Sequence, residues 1–499
     1  MRLENILLGL KPKKVIGTVD VDIKGICINS KQCKKDFLFV AIKGYDKDGH
    51  AYINEAVKNG ACAILGEDTS GIPDDITYIC LEDTRKDLAR IASNFYQTEE
   101  TLEKLFIACI TGTNGKSSTA SILSYLLNSK LKCSMSTSTG MYIGGEKINN
   151  NVNTTPDALQ IHEFIKKSSE EDCKAIILET SAQASTLHRI DNLHFKYGIF
   201  TNLSPEHLDF YNNMEEYYYA KKSILERCDT CIVNSDDVYG RRLIKHLKEK
   251  NRNIITYAIY NHADYEININ YEDSSSIEYE IVYLKNKYNF RINIPSEAWV
   301  YNSAAAVILA HQQGYNIVQM ANLIQYAMLP NGRMEKIAND YDLNIIIDYA
   351  HTLKAYRTVL RNVKKNSIGR VISVFGCGGE RDKTNRPNIG KCVSELSDIC
   401  IITDDNPRRE NSLSIIGDII SGIDNRNYAI IQNRKEAINF ALNIADENDT
   451  IIILGKGHEK YQIINDEYIP FDEKNIINEI LALRGKNGIN NIKKPDKSS

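Results

Sequence analysis

The sequence predicts an α/β protein of about three domains. Its 499 residues far exceed the roughly 150 residues of one ordinary domain. Short apolar runs, as at 38–42 and 61–65, alternate with helical patterns, as at 84–96, which is the order expected of strands and covering helices. A content of 42% hydrophobic and 25% charged residues is typical of globular proteins and argues against large-scale disorder.

The order of these runs divides the chain into three predicted domains and a polar tail. Residues 1–97 read as a small α/β domain. Residues 98–329 contain buried runs typical of a parallel sheet, and the alternation at 265–294 predicts antiparallel hairpins. Residues 330–485 alternate strands and helices in a doubly wound order. Residues 486–499 are polar and are expected to be disordered.

Charge and cysteine content narrow the possible environments. The formal net charge is -4, from 61 basic and 65 acidic residues, so an anionic ligand has to meet a local basic site. The 12 cysteines are interpreted as reduced structural thiols. The N-terminal apolar stretch is too short for a signal peptide, and no run approaches the ~20 apolar residues of a membrane span. We expect a cytoplasmic monomer that binds neither nucleic acid nor membranes.

A glycine-rich loop at 111–117 is the clearest sign of chemistry. The run Thr-Gly-Thr-Asn-Gly-Lys-Ser lies between a predicted strand and an amphipathic helix, where backbone N–H groups can hold phosphate oxygens. Lys116 would neutralise phosphate charge, and the Ser117 hydroxyl is placed for Mg²⁺. Ile110 stands where a strict Walker A motif needs glycine, so a plain glycine turn is the alternative. The predicted ATP-binding residues of the loop are Gly112, Thr113, Asn114, Gly115, Lys116, Ser117 and Ser118.

Two other nucleotide-binding classes fit the sequence less well. A phosphate-loop GTPase needs a guanine-reading Asn-Lys-x-Asp after a later strand, and the sequence contains none. An NAD-dependent oxidoreductase could use the glycines at 376–379, but this run lacks the third glycine of Gly-x-Gly-x-x-Gly.

The form of the loop resembles the ATP loop of Mur ligases and of their relatives, the folylpolyglutamate and cyanophycin synthetases. The segment 38–50, with Leu-Phe-Val-Ala followed by Asp-Gly-His, is similar to the part of MurE-type Mur ligases that binds the UDP end of the substrate. Folylpolyglutamate synthetases lack that domain. Further segments match the same family in order, at 153–157, 376–383, 404–408 and 455–459. The resemblance implies three domains: a small N-terminal α/β UDP-binding domain, a central phosphate-loop ATPase domain with a mostly parallel sheet, and a C-terminal Rossmann-like domain.

The resemblance also implies a reaction. MurE-type ligases join an amino acid to the D-glutamate γ-carboxylate of UDP-N-acetylmuramoyl-L-alanyl-D-glutamate in peptidoglycan precursor synthesis. A carboxylate is a poor electrophile, so ATP with Mg²⁺ first converts it to an acyl phosphate, which the amine attacks. The residues carried over for UDP-muramoyl-dipeptide are Ser30, Gly44, Asp48, Gly49, His50, Asn153, Thr154, Thr155, Ser181 and Arg189. Read without the family, the turn at His50 is an ordinary loop, and 153–157 is a helix cap with Pro156 at the first helical position.

Lys116 and three further residues are carried over for catalysis. Glu179 ends an apolar strand from which a carboxylate can reach Mg²⁺ beside the loop. His207 lies in a segment similar to the family's Asn-Leu-Thr-x-Asp-His-Leu-Asp-Tyr and is implied as a ligand of a second metal. Lys221 lies in a Tyr-x-x-Ala-Lys segment where these ligases carry a carbamylated lysine. The implied metal set is Ser117, Glu179, His207 and carbamylated Lys221; without the family these residues include a strand-end glutamate, a structural histidine and a solvated lysine.

The remaining implied contacts concern the nucleotide and the incoming amino acid. Asn302 would approach adenine, and Arg333 and Asp348 would approach the nucleotide from the third domain, so ATP binding is expected to drive domain closure. The run 405–408 matches the Asp-Asn-Pro-Arg of MurE enzymes that add meso-diaminopimelate, whose distal carboxylate a guanidinium can hold bidentately. The alternative is that Arg408 pairs with an acidic neighbour. The implied diaminopimelate-binding residues are Arg381, Asp405, Asn406, Pro407, Arg408, Gly455 and Glu459.

Two segments depart from the family pattern, both on the UDP-muramoyl-peptide side. The usual Asp-Ser-Arg is Asn29-Ser30-Lys31, which replaces a guanidinium by a point charge. The segment 179–189 keeps Glu179, one serine and Arg189, but Leu187 stands where the family has glutamine. Two alternatives therefore stay open: a divergent MurE-like ligase with another amino acid or acidic acceptor, and a non-catalytic nucleotide-binding scaffold.

Overall fold

Each of three successive stretches of the chain builds its own β-sheet. The computed structural model describes residues 1–44, 47–73, 75–151, 153–208, 210–273, 275–327, 330–425 and 427–488. Within these ranges the strands form sheets of five, eleven and six strands and one two-stranded hairpin. Most neighbouring strands within the three sheets are parallel, as the α/β fold class predicts.

The N-terminal sheet contains β1 (Lys14–Ile16), β2 (Gly25–Cys27), β3 (Phe37–Val40), β4 (Ala61–Gly66) and β5 (Thr77–Cys80) in the order β1-β5-β4-β3-β2. Its helices are α1 (Leu3–Ile6), α2 (Ile53–Lys58), α3 (Thr84–Tyr96) and α4 (Thr98–Leu102). Because β2 and β3 are parallel neighbours, the segments that follow them leave the same edge of the sheet. That edge therefore carries the two segments predicted to bind the UDP end of a substrate.

The central sheet is a row of parallel strands, β14-β13-β12-β11-β6-β10-β7, extended by antiparallel strands at both ends. The strands β14–β16 are the antiparallel hairpins that the sequence predicted at 265–294. The strand bounds are β6 (Phe106–Thr111), β7 (Cys133–Thr137), β8 (Gly140–Ile143), β9 (Glu146–Asn149), β10 (Ala175–Glu179), β11 (Phe195–Phe200), β12 (Cys228–Asn234), β13 (Asn253–Ala258), β14 (Tyr265–Glu272), β15 (Ile277–Tyr283) and β16 (Asn286–Ile292).

Helices cover both faces of the central sheet. The helix bounds are α5 (Lys116–Asn128), α6 (Ala158–Glu170), α7 (Ala182–Thr186), α8 (Met214–Leu225), α9 (Val238–Glu249), α10 (Glu297–Gln312) and α11 (Ile317–Ile324). Helices α5, α10 and α11 share one apolar core, and α6 to α9 share the other. The stretch 303–310 of α10 is buried all round, which is why it lacks an amphipathic pattern.

The C-terminal sheet has the order β17-β18-β22-β19-β20-β21 and is parallel except for β17. Helices α12, α13 and α14 cover one face, and α15 and α16 the other, as in a doubly wound fold. The bounds are β17 (Glu335–Ile337), β18 (Asn344–Asp348), β19 (Val371–Phe375), β20 (Ile399–Ile402), β21 (Tyr428–Ile430), β22 (Thr450–Leu454), β23 (Tyr461–Ile464), β24 (Glu467–Pro470), α12 (Leu353–Asn366), α13 (Arg386–Leu396), α14 (Ser412–Ile420), α15 (Arg434–Ile444) and α16 (Glu473–Gly488).

Side-chain contacts join the three regions. Ala158 and Leu159 of α6 belong to the core around α3, and His162 Nδ1 lies 2.7 Å from Thr98 Oγ1, where the chain passes from the N-terminal to the central region. Between the central and C-terminal regions, Glu206 Oε1 accepts a hydrogen bond from His351 Nε2 at 2.7 Å.

Two details differ from the sequence-based expectations, and the cysteines agree with them. Asp157, not a residue before Pro156, caps α6: its Oδ1 accepts the Gln160 N–H at 2.9 Å, and the helix starts at Ala158. Residues 486–488 of the predicted tail continue α16, while the rest of the tail and the predicted boundary residue 329 lie outside the described residues. Cys228 and Cys231 have Cys-x-x-Cys spacing but lie buried inside β12, and all 12 cysteines are free.

A search of the described residues for a helix long and apolar enough to cross a membrane finds none.

Candidate active site

A cleft of about 1030 Å³ lies between the central and C-terminal sheets. Its walls come from the phosphate loop, from the loops after β10 and β11, and from the loops after β19, β20 and β22. Several buried side-chain atoms with no hydrogen-bond partner in the described residues belong to this lining: Asn114 Nδ2, Glu206 Oε2, Arg333 Nε and His458 Nδ1. Because buried polar atoms are nearly always paired, this concentration marks a ligand site.

The phosphate loop joins β6 to α5 at one end of the cleft. Gly115 has φ +87°, and a Cβ there would overlap Asn302 Oδ1, so this turn requires glycine. Lys116 Nζ donates to the carbonyl oxygens of Gly112 at 3.0 Å and Thr113 at 2.7 Å, which holds the ammonium over the loop. The loop thus places backbone N–H groups, a helix N-terminus and a cation at one point.

Glu179 ends β10, the strand beside β6, and its carboxylate lies at the start of α5. Its Oε2 accepts hydrogen bonds from Ser117 Oγ at 2.8 Å and from the Ser138 N–H at 2.9 Å. Glu179 and Ser117 are both 2% exposed. This pair of hard oxygen donors next to a phosphate loop is the set that Mg²⁺ prefers.

Lys221 lies on α8, and its side chain contacts the phosphate loop. Its Nζ donates to the Gly112 carbonyl at 2.8 Å, and the residue is 1% exposed. Burial, together with the charge of Lys116, lowers the pKa of Lys221 well below its ordinary value. The side chain is therefore not the solvated lysine that helix periodicity alone suggested.

His207 belongs to a cluster with Glu206 and His351. His207 adopts the left-handed backbone conformation at φ +57°, which is uncommon outside glycine. Its Nε2 lies 3.7 Å from Glu206 Oε1, which also accepts from His351. Burial raises the pKa of the Glu206 carboxyl, but His207 and His351 outweigh it and bring the pKa well below the usual range. His351 belongs to the C-terminal region, so this cluster bridges the two walls of the cleft.

Of the three residues predicted to approach the nucleotide, Asn302, Arg333 and Asp348, only Arg333 lines the cleft. Asn302 is buried against Gly115. Arg333 lines the cleft, with its guanidinium 4.6 Å from the centre of the Tyr349 ring. Both Asp348 carboxylate oxygens accept backbone N–H groups, from Met334 and Ala350, each at 2.8 Å. Asp348 is thus placed to shape the segment that carries Arg333, and its contact with a nucleotide stays a prediction.

The residues carried over for the muramoyl-peptide form a connected wall. Asn153, Thr154, Ser181 and Arg189 all line the cleft. Thr155 is fully buried behind them: its Oγ1 donates to the Glu179 carbonyl at 2.9 Å, and its own carbonyl accepts from Arg189 Nη1 at 2.6 Å. Leu187 also lines this wall, so an apolar side chain faces the space where the family has glutamine.

The predicted UDP-end residues lie in the N-terminal domain, outside the lining of the cleft. Ser30 Oγ donates to Glu55 Oε2 at 2.6 Å. Asp48 Oδ1 accepts the His50 N–H at 2.9 Å and lies 2.5 Å from His50 Nδ1, while His50 Nε2 accepts the Glu67 N–H at 2.8 Å. His50 therefore acts within the protein to fix this turn. Gly44 and Gly49 flank it, next to residues 45 and 46, which lie outside the described residues.

Arg381 and Arg408 form a basic corner at the C-terminal end of the cleft. Both line it, and a Cβ placed on Gly378 would lie 3.0 Å from Arg408 Nη1 and 3.5 Å from Arg381 Cγ. Arg408 Nη1 donates to the Gly379 carbonyl at 2.7 Å, and its backbone is left-handed at φ +53°. Burial, and next the charge of Arg381, lower the pKa of Arg408. Two neighbouring guanidinium groups in a cleft are suited to an anion such as a carboxylate.

The loops after β20 and β22 meet beside this corner. Asp405 and Asn406 are buried, and Pro407 follows them in the turn that presents Arg408. Gly455 has φ +115°, and a Cβ there would overlap Asp405 Oδ2. Asn406 Nδ2 donates to Glu459 Oε2 at 2.9 Å, so the two predicted segments touch.

Sequence reasoning assigned no role to several residues that build this site. They are Ser138, Glu206, Tyr349, His351, Arg386 and Lys456. Glu206 and Lys456 stand inside the quoted motifs and His351 lies three residues after Asp348, but nothing in the spacing shows that they meet residues far along the chain. In the described part of the chain, no group of three or more His, Cys, Asp or Glu side chains forms a metal site by itself.

Comparison with known proteins gives consistent results along the chain. Three family models match: "Mur ligase family, catalytic domain" at 22–100, "Mur ligase middle domain" at 110–310, and "Mur ligase, glutamate ligase domain" at 332–457. The UDP-N-acetylmuramoyl-L-alanyl-D-glutamate--2,6-diaminopimelate ligase of Clostridium perfringens is 38% identical, over 96% of this chain and 99% of that protein. The protein of the same name from Clostridioides difficile is 36% identical, over 97% and 100%.

Solved structures agree with the sequence matches. A structure of a UDP-N-acetylmuramoyl-L-alanyl-D-glutamate--2,6-diaminopimelate ligase has a TM-score of 0.65 and 26% identity, covering 97% of this chain and 99% of that one. A crystal structure of MurF from Acinetobacter baumannii has a TM-score of 0.70 at 16% identity, covering 96% and 98%, and shows the shared fold.

The fold and the cleft define a phosphate-loop protein whose ligand site lies between two α/β sheets. The family models and the relatives then identify the particular group: this chain belongs to the Mur ligase family. The predicted family and the Mur ligase architecture are confirmed.

Proposed function

We propose that this chain is an ATP-dependent amide ligase that adds meso-diaminopimelate to the D-glutamate γ-carboxylate of UDP-N-acetylmuramoyl-L-alanyl-D-glutamate. The observation that carries the proposal is one cleft with a phosphate loop at one end and the Arg381–Arg408 corner at the other. The relatives of matching length carry this activity in their names. Such an enzyme serves cytoplasmic peptidoglycan precursor synthesis; its action there as a monomer stays a prediction.

The phosphate loop supports the activation half of the reaction. Forming an acyl phosphate moves the terminal phosphoryl group of ATP to a carboxylate, so negative charge gathers between the loop and the acceptor. Lys116, the backbone N–H groups of 113–118 and the start of α5 lie where that charge would gather. The muramoyl-peptide wall of Asn153, Thr154 and Arg189 faces the same space and would hold the acceptor carboxylate toward the loop.

Mg²⁺ fits this arrangement. Ser117 Oγ and Glu179 Oε2 would hold it together with phosphate oxygens, because they form a buried pair of hard oxygen donors. When bound, Mg²⁺ supplies charge stabilisation at the transferring phosphoryl group. His207 and carbamylated Lys221 would hold a second ion, which their nearness to the loop supports.

The environment of Lys221 favours carbamylation. Its lowered pKa makes the neutral amine available, and only the neutral amine reacts with carbon dioxide. The Nζ lone pair would form a bond to the carbon of CO₂ and one proton would leave, which converts a buried cation into an anion. An anion there would be attracted by Lys116, whose charge acts on Lys221 more strongly than those of Glu206 and Glu179.

The amine half of the reaction belongs to the C-terminal end of the cleft. meso-Diaminopimelate differs from lysine by a distal carboxylate, and Arg381 with Arg408 offers two guanidinium groups to it. Glu459 lines the same corner and would pair with the distal ammonium. Lysine brings no distal carboxylate to Arg408, a mismatch worth several kcal/mol in a closed site.

The test is phosphate release with purified enzyme, ATP, Mg²⁺ and UDP-muramoyl-dipeptide, comparing meso-diaminopimelate, L-lysine and no amino acid. Release should require both acceptor and amine and should strongly favour meso-diaminopimelate. In Arg408→Ala the preference should fall by roughly 10- to 100-fold. The matched control is Arg409→Ala, since Arg409 is exposed and pairs with Asp466.

Two outcomes would contradict the proposal. Equal wild-type activity with meso-diaminopimelate and lysine would remove the amino-acid assignment. ATP hydrolysis independent of acceptor and amine would favour a nucleotide-binding scaffold instead.

A further inference from the structure

A buried lysine lies directly behind the proposed amino-acid corner. Lys456 follows β22, is fully buried, and is not among the residues that line the cleft. Its Nζ donates to Asn406 Oδ1 at 2.8 Å and to Glu459 Oε2 at 3.1 Å. Lys456 therefore cannot meet a ligand itself, and both of its partners belong to the predicted diaminopimelate set.

The hydrogen bonds around Lys456 fix one side of the Glu459 carboxylate. Oε2 accepts from Lys456 and also from Asn406 Nδ2 at 2.9 Å. Asn406 is held in turn, because its Oδ1 accepts the Ile463 N–H at 3.0 Å. The other oxygen, Oε1, accepts only a 3.4 Å hydrogen bond from the Tyr349 hydroxyl, among the bonds of the described residues. Glu459 thus reaches the cleft with Oε2 anchored and Oε1 the less engaged oxygen.

A buried cation costs free energy unless it is paired, so its position needs a reason. An apolar residue would fill the same space without that cost. What the ammonium adds is a hydrogen-bond donor that holds Asn406 and Glu459 in place before a substrate arrives. Such preorganisation lowers the cost of binding.

We propose that Lys456 is a positioning residue for amino-acid selection: it anchors Asn406 and Glu459 so that Glu459 Oε1 meets the distal ammonium of the amino-acid substrate. This inference rests on the proposed function and adds to it. The Arg381–Arg408 corner binds the distal carboxylate, whereas Glu459, held in place by Lys456, binds the distal ammonium.

The test uses two substrates that differ only in that ammonium: meso-diaminopimelate and L-2-aminopimelate, which keeps the distal carboxylate. The variant is Lys456→Met, which preserves length and removes the charge. Its KM for meso-diaminopimelate should rise by about tenfold or more. The KM values for L-2-aminopimelate and for ATP should stay within about twofold of wild type, because neither molecule has an ammonium group that would pair with Glu459 Oε1.

Two further variants complete the design. Lys435→Met is the control, because Lys435 also pairs with a glutamate, Glu479, but is exposed on α15; it should match wild type with both substrates. If Lys456→Met does not fold, the same ratio of KM values is measured in Lys456→Gln, which lacks the charge and keeps an N–H donor for the buried acceptors.

The outcomes separate this inference from the function on which it rests. A wild-type enzyme that releases no phosphate with meso-diaminopimelate overturns both. An active wild type with an unchanged ratio of the two KM values in Lys456→Met overturns the positioning role alone. An equal rise of KM for both substrates also overturns it, because that is the result of a packing role.

Discussion

The phosphate loop and the Arg381–Arg408 corner line the same cleft, but the chain builds them differently. The loop is one contiguous segment, and its cation, its glycines and its helix N-terminus lie within residues 111–118. The corner is built from three loops: the loop after β19 contributes Arg381, the loop after β20 contributes Arg408, and the loop after β22 contributes Glu459. The strand and helix on either side of the loop already bring its cation and glycines together, whereas the corner needs other buried groups to hold three separate loops together.

Buried ion pairs supply that support. Arg434 and Glu473, both fully buried, lie 2.7 Å apart, and Arg434 also donates to the carbonyl oxygens of Leu454 and Asp404. Arg386 holds Glu410 and the Gly378 carbonyl in the same way. These contacts tie together the three loops that form the corner. Substitutions of residues that do not line the cleft should therefore disturb the Arg381–Arg408 corner more strongly than they disturb the phosphate loop.

The largest expected effect is on the stability of the corner. Arg434→Met should lower the local free energy of unfolding of β20 and β22 by about 3–5 kcal/mol, because Glu473 is left as an unpaired buried charge. Amide hydrogen exchange measures this strand by strand, and exchange in β6 and α5 should change little. The double variant Arg434→Met with Glu473→Met should recover most of the loss. A loss no larger than in the exposed Lys435→Met would show that the pair does not support the loops.

The next largest effect is on catalysis at the phosphate loop. Lys116→Ala should reduce ATP-dependent ligation by ~100-fold or more, since the lysine stabilises phosphoryl charge. It should do so equally with every amino acid and leave the melting temperature unchanged, because Lys116 is not part of the core. Lys130→Ala, near the other end of α5, is the control. Near-normal activity of Lys116→Ala would remove the phosphate-loop interpretation.

A smaller, recoverable loss is expected at Lys221. Lys221→Ala should reduce activity by roughly one to two orders of magnitude, and added short-chain carboxylates should restore part of it by replacing the carbamate anion. Lys222→Ala should have a mild effect, since Lys222 pairs with Glu226 and is not among the residues that line the cleft. An unmodified Lys221 by mass spectrometry, in an active sample equilibrated with bicarbonate, would contradict the metal-binding role.

The smallest expected effect is a difference in acid stability. The hydrogen bonds from Arg386, and then Lys383, hold the pKa of the Glu410 carboxyl well below its usual range. A lowered carboxyl pKa stabilises the fold above the unfolded-state pKa of about 4.3, and this stabilisation is lost as the pH falls toward the folded-state value. Wild type should therefore exceed Glu410→Gln in stability by on the order of 1 kcal/mol at pH 7, and this difference should shrink steadily as the pH falls below about 4.3. Parallel curves by urea titration would show that Glu410 is not responsible.

Local patterns predicted the elements that depend on local interactions. The helix at 84–96 has the predicted bounds because Asp83 caps it, accepting the Lys86 N–H at 2.9 Å, and its buried residues recur with helical spacing. The strand, loop and helix around Lys116 followed from one run of residues. The alternation at 265–294 likewise gave the antiparallel strands of the central sheet.

Only the tertiary structure decided which side chains meet across long stretches of chain. Glu206 and His351 are 145 residues apart in sequence, and Lys456 and Asn406 are 50 apart, yet each pair is joined by one hydrogen bond. Spacing cannot show such pairs, because their geometry depends on the order of strands in a sheet and on how two sheets face each other. Local rules also placed the start of α6 at Pro156, two residues before its actual start at Ala158, since they could not show that Thr155 is held by Glu179 and Arg189. The sequence by itself therefore determined the family, the fold class and the contiguous phosphate loop. Packing decided the burial of Lys221, the corner of Arg381 and Arg408 and the anchoring of Glu459. The reason is that a buried charge takes its role from the partners that folding brings to it.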